Sequence, residues 1–68
     1  MRLKEIRKKK RLSQLKLAME LNMSQNTISR YETGEREPGL NELIKIADYF
    51  NVSTDYLLER TNNPKINK

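Results

Sequence analysis

The chain has 68 residues, room for one small domain. Fourteen Lys and Arg against nine Asp and Glu leave a net charge of +5, and both His and Cys are absent. That composition excludes disulfides, Cys- or His-ligated zinc and an imidazole general base. No apolar run approaches the roughly 18 residues of a membrane span, and no signal-peptide core is present. The expected compartment is the cytoplasm. The positive balance makes a polyanion the first partner to consider.

The charge is unevenly placed. Residues 1–36 hold ten basic and four acidic side chains, and residues 37–59 hold one basic and five acidic ones. Three more basic residues fall in 60–68. The first half is therefore cationic and the second is not, as in a domain that turns one face to phosphates.

Every apolar pattern has helical period, and none alternates as a strand does. A first helix is predicted over 2–10, with Leu3, Ile6 and Arg7 on its inner stripe. Lys8, Lys9, Lys10 and Arg11 close it, where cations suit the negative end of the helix dipole. Ser13 caps a second helix over 13–21, with Leu17, Ala18 and Leu21 inward and Leu15 and Met19 outward. Asn22 tolerates the left-handed backbone used at helix ends. Ser24 caps a third helix over 24–33, stopped by Gly34. The short link between helices two and three reads as a helix-turn-helix.

Pro38-Gly39 breaks the chain before a fourth helix over 40–50. Its expected inner stripe is Leu40, Leu43, Ile44, Ala47 and Phe50. Ser53 caps a short fifth helix over 54–59, with Val52, Leu57 and Leu58 able to complete the core. The division is a domain over 1–60 and a loose tail over 61–68.

The third helix carries most of the information. At about 100° per residue, Gln25, Asn26, Ser29, Arg30 and Thr33 share one arc, while Ile28 lies opposite, flanked by Thr27 and Tyr31. Ile28 anchors the helix, and Gln25, Asn26, Ser29 and Arg30 project outward. Gln and Asn can bond adenine, Arg can bond guanine, and Ser serves several bases, in a groove that admits one helix.

The combined pattern is specific. It runs Ser13-Gln14-x-x-Leu17-Ala18, Met23-Ser24-x-x-x-Ile28-Ser29-x-Tyr31-Glu32-x-Gly34, Pro38, Leu43-x-x-Ile46-Ala47, then Val52-x-x-Asp55-x-Leu57-Leu58. Over about residues 2–59 the chain resembles the phage repressor/Cro (XRE-type) family of helix-turn-helix transcriptional regulators. The resemblance implies an all-α, compact five-helix lambda-repressor-like DNA-binding domain. It implies base contacts from Gln25, Asn26 and Arg30, with Ser29 beside them. It also implies backbone contacts from Gln14, Ser24, Thr33 and Arg36. Lys10 and Arg11 are weaker backbone candidates from the basic run. Asn22 stands where many relatives have Gly. Arg7 and Glu32 both point partly inward, and by the same resemblance form a structural ion pair between the first and third helices.

The expected function is sequence-specific recognition of double-stranded DNA by a regulator, read as a repressor. A two-fold dimer would span half-sites roughly 34 Å apart. Ile44, Tyr56 and Leu58 are the candidate dimer contacts. No metal, cofactor, membrane or small-molecule partner is expected, and no enzymatic activity. The alternative is a protein-interaction module, such as an antitoxin or anti-repressor partner, with DNA binding secondary. RNA recognition is weaker, because single-stranded readers rely on exposed aromatics and only four aromatics occur here.

Overall fold

Three serines set three helix starts. In the computed structural model, which describes residues 1–65, Ser13, Ser24 and Ser53 each have extended backbone. Each side chain accepts from the N–H three residues on, at Lys16 (3.0 Å), Thr27 (3.1 Å) and Tyr56 (3.0 Å). These bonds satisfy donors that a helix start otherwise leaves open. The elements are α1 (Leu3–Lys9), α2 (Gln14–Leu21), α3 (Gln25–Thr33), α4 (Leu40–Phe50) and α5 (Thr54–Leu57). Among the described residues there is no strand.

The helix ends share one solution. Past α1, α2, α4 and α5 the chain turns through a left-handed residue: Arg11 (φ 57°), Asn22 (56°), Asn51 (55°) and Glu59 (63°). The residue after each reaches back over the last turn. Leu12 N–H bonds Arg7 O at 3.1 Å, Met23 N–H bonds Ala18 O at 2.8 Å and Val52 N–H bonds Ala47 O at 3.0 Å. Arg60 N–H bonds Asp55 O at 2.8 Å. This is the Schellman arrangement, and it occupies carbonyls a helix end would leave unpaired. Two boundaries are therefore shorter than the sequence suggests. Helix α1 covers Leu3–Lys9, and α5 stops at Leu57 because Leu58 and Glu59 form its turn.

The core joins Leu3 and Ile6 of α1, Leu17, Ala18 and Leu21 of α2, and Ile28 and Tyr31 of α3 to Ile46, Ala47 and Phe50 of α4 and Leu57 of α5. Side chains such as Leu17, Ile28 and Ile46 are fully buried, and each such burial stabilises by about 1.5–3 kcal/mol.

The predicted stripe of α4 is corrected. Leu40 is 71% exposed and Ile44 42%, whereas Ile46 is fully buried. The inward stripe runs Leu43, Ile46, Ala47 and Phe50, with Leu43 half-buried. Six of the helix's eleven residues are Leu, Ile, Ala or Phe. At about 100° per residue those side chains span an arc of about 160°, wider than the buried stripe, and packing against α2 and α5 selects which part of it faces inward. Leu58 does not complete the core either, being 41% exposed.

The two ends of the domain meet. Arg2 N–H bonds Leu57 O at 2.8 Å. The Arg2 guanidinium lies 4.5 Å from the Tyr56 ring centroid and donates to Tyr56 O (2.8 Å), Thr61 O (3.0 Å) and Asn62 Oδ1 (2.8 Å). Ser53 N–H bonds Pro64 O at 3.0 Å. Of the stretch expected to be a loose tail, 61–65 makes these contacts, and 66–68 lies outside the described residues.

The left-handed turn at Asn22 gives a test. Asn22→Ala should lower stability by about 1 kcal/mol, because a Cβ without a local hydrogen bond disfavours that backbone region. Asn22→Gly should stay within about half a kcal/mol of wild type, since glycine takes positive φ freely but gains entropy on unfolding. Urea unfolding midpoints measure both. Equal losses for the two variants would place the effect in the side chain instead of the backbone angle.

Candidate nucleic-acid interface

Helix α3 is set by its neighbours before it meets any ligand. Ile28 and Tyr31 are buried, and α3 packs against α1 and α2. The turn through Asn22 and Met23 holds α2 and α3 as a rigid corner. Ser24 Oγ, besides capping, lies 2.8 Å from Thr27 Oγ1. At the other end Gly34 (φ 83°) turns the chain, and Arg36 N–H returns to Arg30 O at 3.3 Å.

What remains free on α3 is the polar arc. Gln25, Asn26, Arg30 and Thr33 are exposed, and Ser29 is half-buried. Thr33 Oγ1 donates to Arg30 O at 3.2 Å. Arg30 has one distant counter-charge, with Nε 4.0 Å from Glu35 Oε2 and both side chains more than half exposed. A contact of that length in solvent is worth little and yields readily to a better acceptor. Ser24 and Arg36 are exposed at the two ends of α3, and Lys10 and Arg11 are exposed past α1. Of the expected dimer contacts, Ile44 and Leu58 are exposed, while Tyr56 is half-buried beneath Arg2.

One polar cluster lies behind this face. Arg7 donates from Nε to Glu32 Oε2 at 2.6 Å and from Nη2 to Glu32 Oε1 at 3.1 Å. Its Nη1 donates to Leu12 O at 2.7 Å. Gln14 Nε2 donates to Glu32 Oε1 at 3.0 Å. The Arg7 and Glu32 side chains are 10% and 2% exposed. The predicted pair is thus present, two-pronged and closed off from water. Burial pushes the Glu32 carboxyl upward. Hydrogen bonds from Arg7 and Gln14, with the charges of Arg7 and Lys4, outweigh that push and hold it below its ordinary value of 4.5.

The sequence places the Arg7–Glu32 pair but not the two further members of the cluster, the Gln14 amide and the Leu12 carbonyl. Gln14 was singled out only for phosphate, and the Leu12 carbonyl carried no signal, since any residue has one. The left-handed Asn51 was legible by the argument applied to Asn22. Arg11 and Glu59 were not, because long charged residues have no preference for that region. Among the described residues, no group of His, Cys, Asp or Glu is arranged to hold a metal ion, and no helix is long and apolar enough to cross a membrane.

Comparison with known proteins agrees with this geometry. The helix-turn-helix family model matches residues 3–57, and the chain belongs to that family. It is 42% identical over 67 residues to the HTH-type transcriptional regulator ImmR of Bacillus subtilis, covering 98% of this chain and 53% of that protein. It is 39% identical over 61 residues to the SPbeta prophage-derived HTH-type regulator YonR of the same organism, covering 90% and 56%. With the regulator AnsR of B. subtilis it shares 42% over 59 residues, covering 87% and 51%. The chain spans about half the length of these relatives. No solved structure matches it.

Removing Glu32 leaves a buried guanidinium without its partner. Glu32→Ala should therefore lose about 3–5 kcal/mol of stability, most of what a core this size supplies. The same pair sets a pH dependence. A carboxyl held below its unfolded value contributes stability that is complete above that value and lost as pH falls through the folded one. Denaturant midpoints should hold steady from neutrality to about pH 5 and then decline. Glu32→Gln should remove part of that decline. An unchanged acid limb in Glu32→Gln would show that other groups govern it.

Proposed function

We propose that this chain is a sequence-specific double-stranded DNA-binding transcriptional regulator, acting as a repressor, whose α3 reads the major groove. The observation that carries the reading is the solvent-facing row Gln25, Asn26 and Arg30, with Ser29 beside it, on a helix fixed by buried Ile28 and Tyr31. Side chains of these types match base-edge donors and acceptors, and the rigid mounting keeps their order. Membership of the helix-turn-helix family and likeness to proteins named transcriptional regulators support it.

Gln14, Ser24, Thr33 and Arg36 are assigned to the DNA backbone, with Lys10 and Arg11 adding charge nearby. Such contacts set register and carry the salt dependence, while base contacts carry specificity. The protein works in the cytoplasm and catalyses no reaction. It binds as a homodimer on a two-fold operator. Exposed Ile44 and Leu58, together with exposed Leu40, supply the apolar side chains for the dimer contact. Tyr56 contributes less, because its ring is already covered by Arg2.

Arg30 gives the direct test. Selection of bound duplexes from a random pool yields a site, its symmetry and its spacing. On that site Arg30→Ala should cost about 1–3 kcal/mol and relax discrimination at one base pair per half-site. In contrast, Lys10→Ala should weaken binding to all duplexes alike and flatten the salt slope by about 0.9 per lost phosphate contact. Gel-shift titrations at several salt concentrations measure both. Unchanged discrimination in Arg30→Ala would remove that residue from the readout. Failure to select any duplex, with an acidic protein retained instead, would favour the protein-interaction reading.

A further inference from the structure

Gln14 opens α2 half-buried, with its Nε2 3.0 Å from Glu32 Oε1. A glutamine amide offers two chemically opposite ends: the nitrogen donates twice and the oxygen only accepts. An ionised carboxylate only accepts, and so does a phosphate oxygen. Beside Glu32 the amide must turn its nitrogen inward, and the same nitrogen keeps a second hydrogen for an outside acceptor. One nitrogen can thereby bridge two anions, one in the protein and one on a duplex.

Arg7 holds Glu32 in this role. Two of its nitrogens engage both carboxylate oxygens. Its third takes the carbonyl of Leu12, two residues before Gln14. The backbone entering α2 and the side chain at its first position are therefore set by the same ion pair.

We propose that Glu32 is a positioning residue for the DNA backbone, its carboxylate selecting the orientation of Gln14 that presents N–H to a phosphate. The proposal rests on the phosphate contact assigned to Gln14 above and deepens it. Glu32→Gln removes the selection, because a glutamine at 32 can accept from Gln14 or donate to it. The substitution changes no side chain of the polar arc of α3.

The test uses a duplex recovered by selection from a random pool, with single phosphates replaced one at a time by uncharged methylphosphonates. Wild type should bind about tenfold more weakly when the phosphate beside α2 is replaced, as expected for a hydrogen bond to a charged acceptor. Gln14→Ala and Glu32→Gln should each bind the unmodified duplex about tenfold more weakly. The two losses should not add in the double variant, and neither variant should respond to that methylphosphonate. Discrimination between the selected duplex and a scrambled one should stay at the wild-type ratio, which a general loosening of α3 would lower.

If Glu32→Gln keeps its sensitivity to the methylphosphonate while Gln14→Ala loses it, the proposal is overturned and the Gln14 contact stands. If Gln14→Ala responds as wild type does, the contact and the proposal fall together. Should Glu32→Gln not fold, nitrogen-15 NMR of the wild-type protein decides. One proton of the Gln14 amide should exchange slowly before DNA is added, and the other should shift only with the duplex. Exchange as fast as that of the Gln25 amide would overturn the proposal.

Discussion

A carboxylate that is 2% exposed stays ionised only where hydrogen-bond donors and positive charge replace the water it has lost, and the domain is arranged around meeting that demand at Glu32. Arg7 supplies the charge and Gln14 a further donor. The spare nitrogen of Arg7 is used on the Leu12 carbonyl. Among the described residues no buried side-chain nitrogen or oxygen lacks a partner. A buried ion pair of this kind is weak as a source of net stability, since desolvation opposes the attraction. Its geometry is another matter. Two parallel N–H···O bonds fix both distance and angle, so α1, α3 and the start of α2 can meet in only one arrangement. An apolar contact at the same place would tolerate sliding by a fraction of an ångström. A helix that presents side chains to a rigid ligand has no such tolerance.

The sequence was most informative where the cause is local. Serine caps, the glycine after α3 and the left-handed Asn22 all act within four residues, and each stands where expected. The anchoring of α3 by Ile28 was equally legible, because an amphipathic pattern with one strong apolar residue has one orientation. Helix α4 was different. Leu40 and Ile44 were assigned to the core and Ile46 was not, yet all three are apolar and the periodicity alone accommodates two rotations. The choice belongs to α2 and α5, which no local pattern contains. The Arg7–Glu32 pair came from the stripe positions of both residues and from the family resemblance. The Gln14 link is a meeting of three helices, and spacing along one chain does not encode it.

The uneven charge gains a physical location in the fold. Lys10, Arg11, Arg30 and Arg36 are exposed in the stretch that contains α2 and α3. Residues 37–59, with their acidic excess, form α4 and α5 instead. Among the described residues, the contacts Lys16–Glu20 and Arg30–Glu35 are solvent-facing and short in sequence range. They leave the long-range field nearly intact. Charges of this kind steer an approaching polyanion without defining which bases it carries.

The clasp of Arg2 on α5 bears on how the molecule opens. Helix α5 has four residues, too few to persist alone. It is kept by Leu57 in the core and by the bonds from Arg2, which join positions 54 to 60 residues apart. Contacts that distant form only after the intervening helices have brought the ends together, since the loop must close first. Helices α2 and α3, adjacent in sequence and packed on one another, need no such closure. The clasp is therefore the last piece to assemble and the first to detach. In hydrogen exchange, the amides of Leu57 and Leu58 would report a partial opening while those of α2 and α3 remain protected until the whole domain unfolds.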